Sequence, residues 1–490
     1  MKANNKLISN APCVSVIEPS YIETRLDASY YAPVAIKTYE KVINSGLPWK
    51  SVKKSCSKIN SGPFGSSLLA SQYVETGVPF FRPLNIKNII AETSQLVFIS
   101  EEDWARLRSS QFVEGDILIT KIGNGIGDVG VLPDGVKKAN ISGNLMGIRL
   151  KPQYNSYFAV TYFKSTIGQI LISRALTNTA KPKLGSYDLV NIPIILPDSK
   201  IQDYIGQKVK LAEKCREKAD TILFKAKELI NELYGDSFPE KSEEKHNVIS
   251  AEDLTTDRMD AWFYQLNFMN LKKYLLANRR FVPLAEIAKI RNRRIGSLKQ
   301  EDCDQIDYIE ISSIDVESSL IKPNRKKISD LPASAKKELH FGDVLASTVR
   351  VNRKCISVVP FHFNKSIGST AIAVLKTPSI EEAHFLELIL KHDISTSQIM
   401  RWNTGSVYPT VTEDVFEKIL IPNICQDERK KIGRIGKLSA SYRYKAVSLI
   451  LKAKSDVEAL IEGKLDTDAI LSGKIKAPTW EDIEKELEGI

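Results

Sequence analysis

The sequence predicts an α+β protein, a tandem duplication of one mixed unit that closes on a long helix. Three observations predict it. Short motifs recur at a fixed offset. Short apolar runs are punctuated by Gly, Pro and Asn. Two segments carry a heptad-spaced apolar seam. At 490 residues the chain is too long for one core and long enough for roughly two to four domains.

The repeat comes first. Gly115-Asp116-Ile117-Leu118 returns as Gly342-Asp343-Val344-Leu345, 227 positions later. Val131-Leu132-Pro133 and Val358-Val359-Pro360, Ile205-Gly206 and Ile432-Gly433, and Lys225-Ala226-Lys227 and Lys452-Ala453-Lys454 share that offset of 227. Arg25-Leu26-Asp27-Ala28 resembles Arg258-Met259-Asp260-Ala261 at an offset of 233. Five matches in one order, four at one offset, place the copies near 20–235 and 253–462.

Each copy opens with strand-like runs, DILITKIG and MGIRLK in the first and DVLASTV and AIAVLK in the second. A short strand with a proline follows, IPIILPD at 192–198 and ILIPN at 419–423. Then a helix begins. Its first seam runs Ile205, Val209, Ala212, Cys215, Ala219, Ile222, Ala226, Leu229, Leu233. The second runs Ile432, Ile435, Ser439, Tyr442, Ala446, Leu449, Ala453, Val457, Leu460. Small residues in both seams allow close packing. A helix of about 34 residues is about 50 Å long and outruns its own domain. The two are therefore predicted to pair antiparallel as a coiled-coil spacer. The expected domains are 1–198, 253–423, helices at 199–236 and 424–463, a charged linker at 237–252 and a tail at 464–490. In the tail, Thr479 is a predicted N-cap for an acidic helix that docks on a neighbour.

Composition narrows the function. The net charge of +10 favours an anionic partner, nucleic acid ahead of lipid. No apolar run approaches the roughly 18–20 residues that span a membrane, and the N-terminus lacks a signal-like apolar stretch, so a cytoplasmic protein is expected. The six cysteines form no C-x-x-C pair, and the five histidines no H-E-x-x-H, so neither a disulfide framework nor a metal site is expected. A P-loop is absent. Gly123-Asn-Gly125-Ile-Gly127 is followed by DVGVLPDG, which cannot open a helix to receive a pyrophosphate. No Pro-Pro pair exists to make a methyltransferase tetrapeptide, and the first copy has no histidine for a Ser-His-Asp triad. A non-catalytic chain is expected, although a nuclease site could be assembled from scattered Asp, Glu and Lys.

What remains are polar and basic loops. In the first copy they supply Ser61, Gly62, Phe64, Gly65, Ser66 and Ser67 in INSGPFGSSL; Arg82 and Asn85; Lys121 and Asn124; Ser142 and Asn144; and Asn178, Lys181, Lys183 and Tyr187. In the second they supply Arg291, Arg293, Arg294 and Ser297; Arg350, Asn352, Arg353 and Lys354; Ser369 and Thr370; and Arg401, Asn403, Ser406 and Tyr408. Lys and Arg neutralise phosphates, Arg and Asn can read guanine and adenine edges, and Ser and Thr fix register. Any one such residue is as well explained by solvation; matched sets in two copies favour a nucleic-acid face. The copies differ most at these loops, as expected of one scaffold carrying two different readers.

The chain resembles the specificity subunits of type I restriction-modification systems. The resemblance rests on I-x-x-G-P-F-G-S-x-L at 59–68 with Tyr73 and Gly77-Val78-Pro79, Gly-Asp-Ile-Leu at 115–118 with ISGNLMGIRL, Thr-Asn-Thr and Leu-Gly-Ser-Tyr near 177–187, and I-P-I-x-L-P-D before the helix. It covers about 20–462; the second copy keeps only Gly296-Ser297-Leu298 of the glycine-serine loop. It implies two target-recognition domains, each reading half of a split double-stranded DNA site. The helical repeats between them set the spacing and bind two adenine-N6 methyltransferase subunits, and a motor-nuclease subunit joins the complex. S-adenosylmethionine and ATP with magnesium belong to the partners, and this chain holds no cofactor. The alternatives are the same adaptor in another phage-defence complex and an interaction scaffold that binds no DNA.

Overall fold

The computed structural model describes residues 17, 22, 25–63, 65–93, 95–177, 182–235, 246–256, 258–277, 280–291, 305–363, 366–405 and 407–489. They divide into two compact units. The first joins Met1–Cys215 with Lys445–Gly489, and the second spans Arg216–Tyr444.

The first unit contains β1 (Trp49–Ser51), β2 (Cys56–Ser61), β3 (Val78–Phe81), β4 (Val97–Ile99), β5 (Gln111–Phe112), β6 (Ile117–Thr120), β7 (Val129–Val131), β8 (Ala139–Ile141), β9 (Leu145–Leu150) and β10 (Pro193–Ile195). They form sheets of order β2-β9-β6-β7, β4-β3-β8-β5 and β1-β10, with β3 and β8 parallel and the other pairs antiparallel. β6 is buried along its whole length because it separates two cores. Ile117 and Ile119 face Tyr157, Phe158, Tyr162 and Phe163 of the following helices, whereas Leu118 faces Phe81 and Phe112. A strand covered on both sides reads as a continuous apolar run, which is why Ile-Leu-Ile stood out in the sequence.

The second unit contains β11 (Phe281–Pro283), β12 (Lys289–Ile290), β13 (Ile306–Ile309), β14 (Asn324–Lys326), β15 (Ala335–Leu339), β16 (Val344–Ser347), β17 (Ile356–Val358), β18 (Ser366–Ser369), β19 (Ile372–Lys376) and β20 (Leu420–Pro422). Its sheets run β12-β19-β16-β17, β14-β13-β18-β15 and β11-β20, the first unit's order shifted by ten strands. Register is kept too. Ile117 faces Ile148, and 227 residues on Val344 faces Leu375. The expected duplication is therefore present strand by strand.

The repeated motifs now have physical reasons. Asp116 and Asp343 are buried, and each accepts the backbone N–H of the residue three earlier, Val113 and His340, at 2.7 Å. Gly206 and Gly433 lie where a long helix passes close to the start of another. A Cβ on Gly433 would sit 1.8 Å from the Glu381 carbonyl, and one on Gly206 2.6 Å from Asn155 Oδ1. Arg25 donates to the carbonyls of Ala175 (3.2 Å) and Leu176 (2.7 Å) at the end of a helix, and Arg258 to those of Trp402 (3.1 Å) and Asn403 (3.0 Å). Both guanidiniums thus satisfy carbonyls that the helix leaves without partners.

The long helices span Ser199–Tyr234 and Gln426–Ile461, 36 residues each and 227 apart. They pack together antiparallel, as expected. In the first unit Ile201, Ile205 and Val209 share a core with Ala453, Val457 and Leu460, and Lys208 pairs with Asp456. In the second, Ser439 Oγ donates to the Ala219 carbonyl at 2.7 Å and Arg443 pairs with Asp220 at 2.7 Å. Seven of the nine seam positions on the first helix are buried and eight of nine on the second, which fixes the predicted face as the packed one. The tail helix Trp480–Glu488 is capped by Thr479, which accepts from Asp482 N–H at 3.2 Å. Ile483 and Leu487 are buried, Trp480 lies under Lys214 at 4.2 Å and Glu486 pairs with Lys445, so this helix docks on the first unit's share of the helix pair.

Candidate nucleic-acid interface

Strand ends and the turns between them bring seven of the first-copy candidates to one place. β2 ends at Ser61, which pairs with Met146. The next residue, Gly62, donates its N–H to the Leu145 carbonyl at 3.2 Å, and Leu145 N–H donates to Ser142 at 2.9 Å. A Cβ on Gly62 would lie 2.1 Å from the Ser142 carbonyl oxygen, so only glycine permits this approach. Lys121 leaves β6 by donating its N–H to the Asn144 carbonyl at 2.9 Å and accepting Leu184 N–H at 3.0 Å. Thr177 N–H closes the neighbouring loop onto the Lys183 carbonyl at 2.9 Å. Ser142 N–H donates to Phe81 at 2.9 Å, which places Arg82 on the same edge. Ser61, Gly62, Arg82, Lys121, Ser142, Asn144 and Lys183 thus form one contiguous set.

The electrostatics of this set suit an anion. Lys121 is half-buried, and burial holds its ammonium below the ordinary lysine value. A phosphate beside it would favour the charged ammonium that burial disfavours. Arg82 reaches the Gln95 carbonyl with Nη2 at 3.3 Å, while its Nε is buried without a hydrogen-bond partner. Asn144 and Asn124 are exposed. Residues 121–128 form the turn of a β6–β7 hairpin, closed by Gly127 N–H to Thr120 at 2.9 Å, so the Gly-Asn-Gly-Ile-Gly run opens no helix, as expected.

The second copy builds the same frame from other side chains. Thr348 N–H donates to Ala371 at 3.0 Å, Val411 N–H to Thr348 at 2.9 Å and Thr404 N–H to Thr410 at 2.8 Å, each bond 227 residues on from its counterpart. On that frame Arg350 adopts a left-handed backbone (φ 54°), and its guanidinium stacks on Tyr408 at 4.0 Å from the ring centre. Tyr408, Thr370, Asn352 and Arg353 are exposed. Lys354 pairs with Asp393 at 2.5 Å.

Four candidates are committed inside the protein instead. Asn85 is fully buried, and its Oδ1 accepts Arg82 N–H at 3.0 Å. Ser369 is buried and its Oγ accepts Ala371 N–H at 3.3 Å. Arg401 is buried, donates Nε to the Phe263 carbonyl at 3.1 Å and lies over the Phe263 ring at 3.8 Å; burial lowers its basicity. Arg291 pairs with buried Asp343 at 3.2 Å. Asn403 is a brace as well, its Oδ1 accepting Gly405 N–H (2.9 Å) and Thr410 N–H (2.8 Å). These side chains hold loops in place. Gly65, Ser66 and Ser67 form an exposed turn, and Tyr187 is exposed on a short helix. Phe64, Asn178, Lys181, Arg293, Arg294, Ser297 and Ser406 lie outside the described residues.

No family model and no curated protein matches the chain. Solved structures do. The chain is similar to the type I restriction-modification S subunit from M. genitalium at 13% identity, covering 86% of this chain and 96% of that one, with a TM-score of 0.42. It is also similar to the HsdS subunit from Thermoanaerobacter tengcongensis at 15% identity, covering 86% and 97%, with a TM-score of 0.29. A third is a chain from a study of complex assembly and conformational transition of the type I R-M system, at 13% identity, covering 86% and 99%, with a TM-score of 0.30.

Sequence reasoning missed Arg106. Its Nη2 donates to the Ser67 carbonyl at 3.0 Å and pairs with Asp103 at 2.5 Å, which ties the glycine-serine turn to a short helix. The partners lie 39 residues apart in sequence, and no local pattern links them. The run Pro-Asn-Arg-Lys-Lys at 323–327 around β14 is also basic, and Arg325 lies 3.9 Å from Asp307. Among the described residues no helix is long and apolar enough to cross a membrane, and no group of three metal-binding side chains occurs.

Proposed function

We propose that this chain is the DNA-specificity subunit of a type I restriction-modification complex. Each unit reads one half of a split duplex site, and the paired helices carry two adenine-N6 methyltransferase subunits. A motor-nuclease subunit completes the assembly in the cytoplasm. The chain itself is non-catalytic, and S-adenosylmethionine and ATP act on its partners. The observation that carries this reading is the conserved frame with exchanged side chains. Strand order, register and the loop-closing bonds repeat at 227 residues, while Lys121, Asn144 and Lys183 give way to Thr348, Ala371 and Thr410. A duplicated support with different tips is what two readers of unlike half-sites require. The net charge of +10 supports a polyanionic partner.

The test is methylation mapping. The full chain is combined with the methyltransferase encoded beside it, and methylated adenines are mapped before and after residues 30–190 are exchanged for those of a relative. The expected result is one adenine per half-site, with only one half-site changed by the exchange. Methyl transfer by the chain alone, or a change in both halves, overturns the reading.

A further inference from the structure

The second unit contains a cavity of about 480 Å³ whose lining includes Arg353 and Lys354 of a candidate reading loop. It is walled by residues 223–231 of the first long helix, 436–444 of the second, 384–393, and the turn 316–320. The floor is apolar, with Leu223, Ile230, Leu320, Val358 and Leu388, and Tyr444 adds an aromatic ring. The polar lining is unbalanced. Five cations (Lys227, Arg353, Lys354, Lys391, Arg443) face three carboxylates (Glu317, Glu387, Asp393). Two of those carboxylates are already engaged: Glu387 with His384 at 3.0 Å, and Asp393 with Lys354 at 2.5 Å.

The other four cations line the same cavity. Lys391 is fixed by donating Nζ to the Val316 carbonyl at 3.0 Å and to Ser319 Oγ. Arg443 is fixed by the Ser318 carbonyl at 2.8 Å and by Asp220 at 2.7 Å. Among the described residues Lys227 and Arg353 have no ion-pair partner, and both are exposed. The Lys391 ammonium is held below the ordinary lysine value, mainly by burial, and Arg443 and Lys227 push the same way while Glu387 opposes them. Cations that repel one another across an open cavity mark a place where an anion is stabilised.

We propose that this cavity binds a nucleoside phosphate, its flat ring on the apolar floor and Tyr444, its phosphates against Lys227, Arg353 and Lys391. The size decides against a lone inorganic anion, since pockets of roughly 300–1,000 Å³ take organic ligands. The apolar floor calls for a body with little charge, and three separated cations call for a head with more than one negative charge. Because Arg353 and Lys354 line the cavity beside both long helices, an occupant would touch the end of the loop that carries Arg350.

The test uses the full chain in thermal unfolding and calorimetric titration with ATP, AMP and inorganic phosphate, each to about 5 mM, a range in which a ligand raises the midpoint by mass action. ATP or AMP is expected to raise the midpoint in proportion to the logarithm of its concentration, and phosphate to raise it less. Lys227→Glu, on an exposed side chain with no ion-pair partner among the described residues, weakens nucleotide binding roughly tenfold or more. Ala440→Phe fills the cavity and removes the effect. No shift with any nucleotide overturns the proposal. So does an equal shift for phosphate, which would leave the apolar floor unused, and so does an undiminished shift in Lys227→Glu, which would place the ligand elsewhere.

Discussion

Two glycines three residues apart separate geometry from composition. Gly62 and Gly65 flank Pro63-Phe64 and look alike in sequence. A Cβ on Gly62 meets the Ser142 carbonyl at 2.1 Å, whereas one on Gly65 meets nothing within 4 Å. Gly62→Ala is expected to cost about 1–3 kcal/mol and to weaken duplex binding by the first unit, because the Ser142–Asn144 turn must move. Gly65→Ala is expected to stay within about 0.5 kcal/mol of the parent. Urea unfolding and duplex titration of the two variants check this, and equal effects would remove the close-approach argument. A second residue-scale expectation concerns His392. Its ring stacks on Tyr234 at 4.3 Å, its Nδ1 accepts Ile394 N–H at 3.3 Å and its Nε2 bonds Asn231 Oδ1 at 3.1 Å. Burial lowers its value below the ordinary 6.5, with Lys354 assisting and Asp393 opposing. A base lowered by folding takes up its proton more readily when unfolded. Its contribution is therefore whole above 6.5 and is lost as pH falls below that value. The unfolding midpoint should drop between about pH 7 and pH 5, and His392→Gln should flatten part of that drop. His362, which burial lowers as well, contributes in the same direction. An unchanged profile in the variant would assign the drop elsewhere.

Elements were legible where one local rule set them. The long helices follow from their seams, and the buried strands β6 and β16 from apolar runs after a buried Asp. Ala453 is fully buried in the seam, and Ala453→Leu should cost about 1–3 kcal/mol through overpacking, whereas Leu451→Ala on the exposed face should be nearly neutral. Thermal unfolding of the pair measures it; a neutral Ala453→Leu would mean that the seam is looser than its burial indicates. Edge strands such as β4 and β14 were not legible, because three residues with mixed burial leave no alternation to read. The candidate interface was legible in part. Lys121, Asn144 and Lys183 announced themselves as polar residues beside strand ends, and backbone bonds between distant turns bring them together. Asn85 and Arg401 looked the same in sequence, yet one caps a turn and the other fills an aromatic cluster. Whether an amide or guanidinium points outward is decided by partners far along the chain, which composition does not carry. The basic rim of the second unit's cavity was invisible for the same reason, since Lys227, Arg353, Lys391 and Arg443 come from four separate stretches.

At the scale of the molecule the decisive feature is how the duplication is cut. Each long helix gives its first or last half to a different compact unit, with the divisions at Cys215–Arg216 and Tyr444–Lys445. The helix halves are therefore core material, Ile201 to Val209 in one unit and Ala226 to Tyr234 in the other. A truncation through either helix would expose a core, whereas an insertion at the two divisions leaves both cores untouched. On the proposed reading those divisions set the spacing between half-sites. Seven residues added at both places keep the apolar seam in phase and lengthen each helix by about 10 Å at roughly 1.5 Å per residue. At about 3.4 Å per base step the gap between methylated adenines should widen by about three base pairs, with both half-site sequences unchanged. Inserting about four residues, roughly one turn, at only one division breaks the seam's phase and should lower stability without a defined new gap. Methylation mapping on a randomised-spacer library reads both outcomes. An unchanged gap in a stable seven-residue variant would show that the helix pair does not set the spacing.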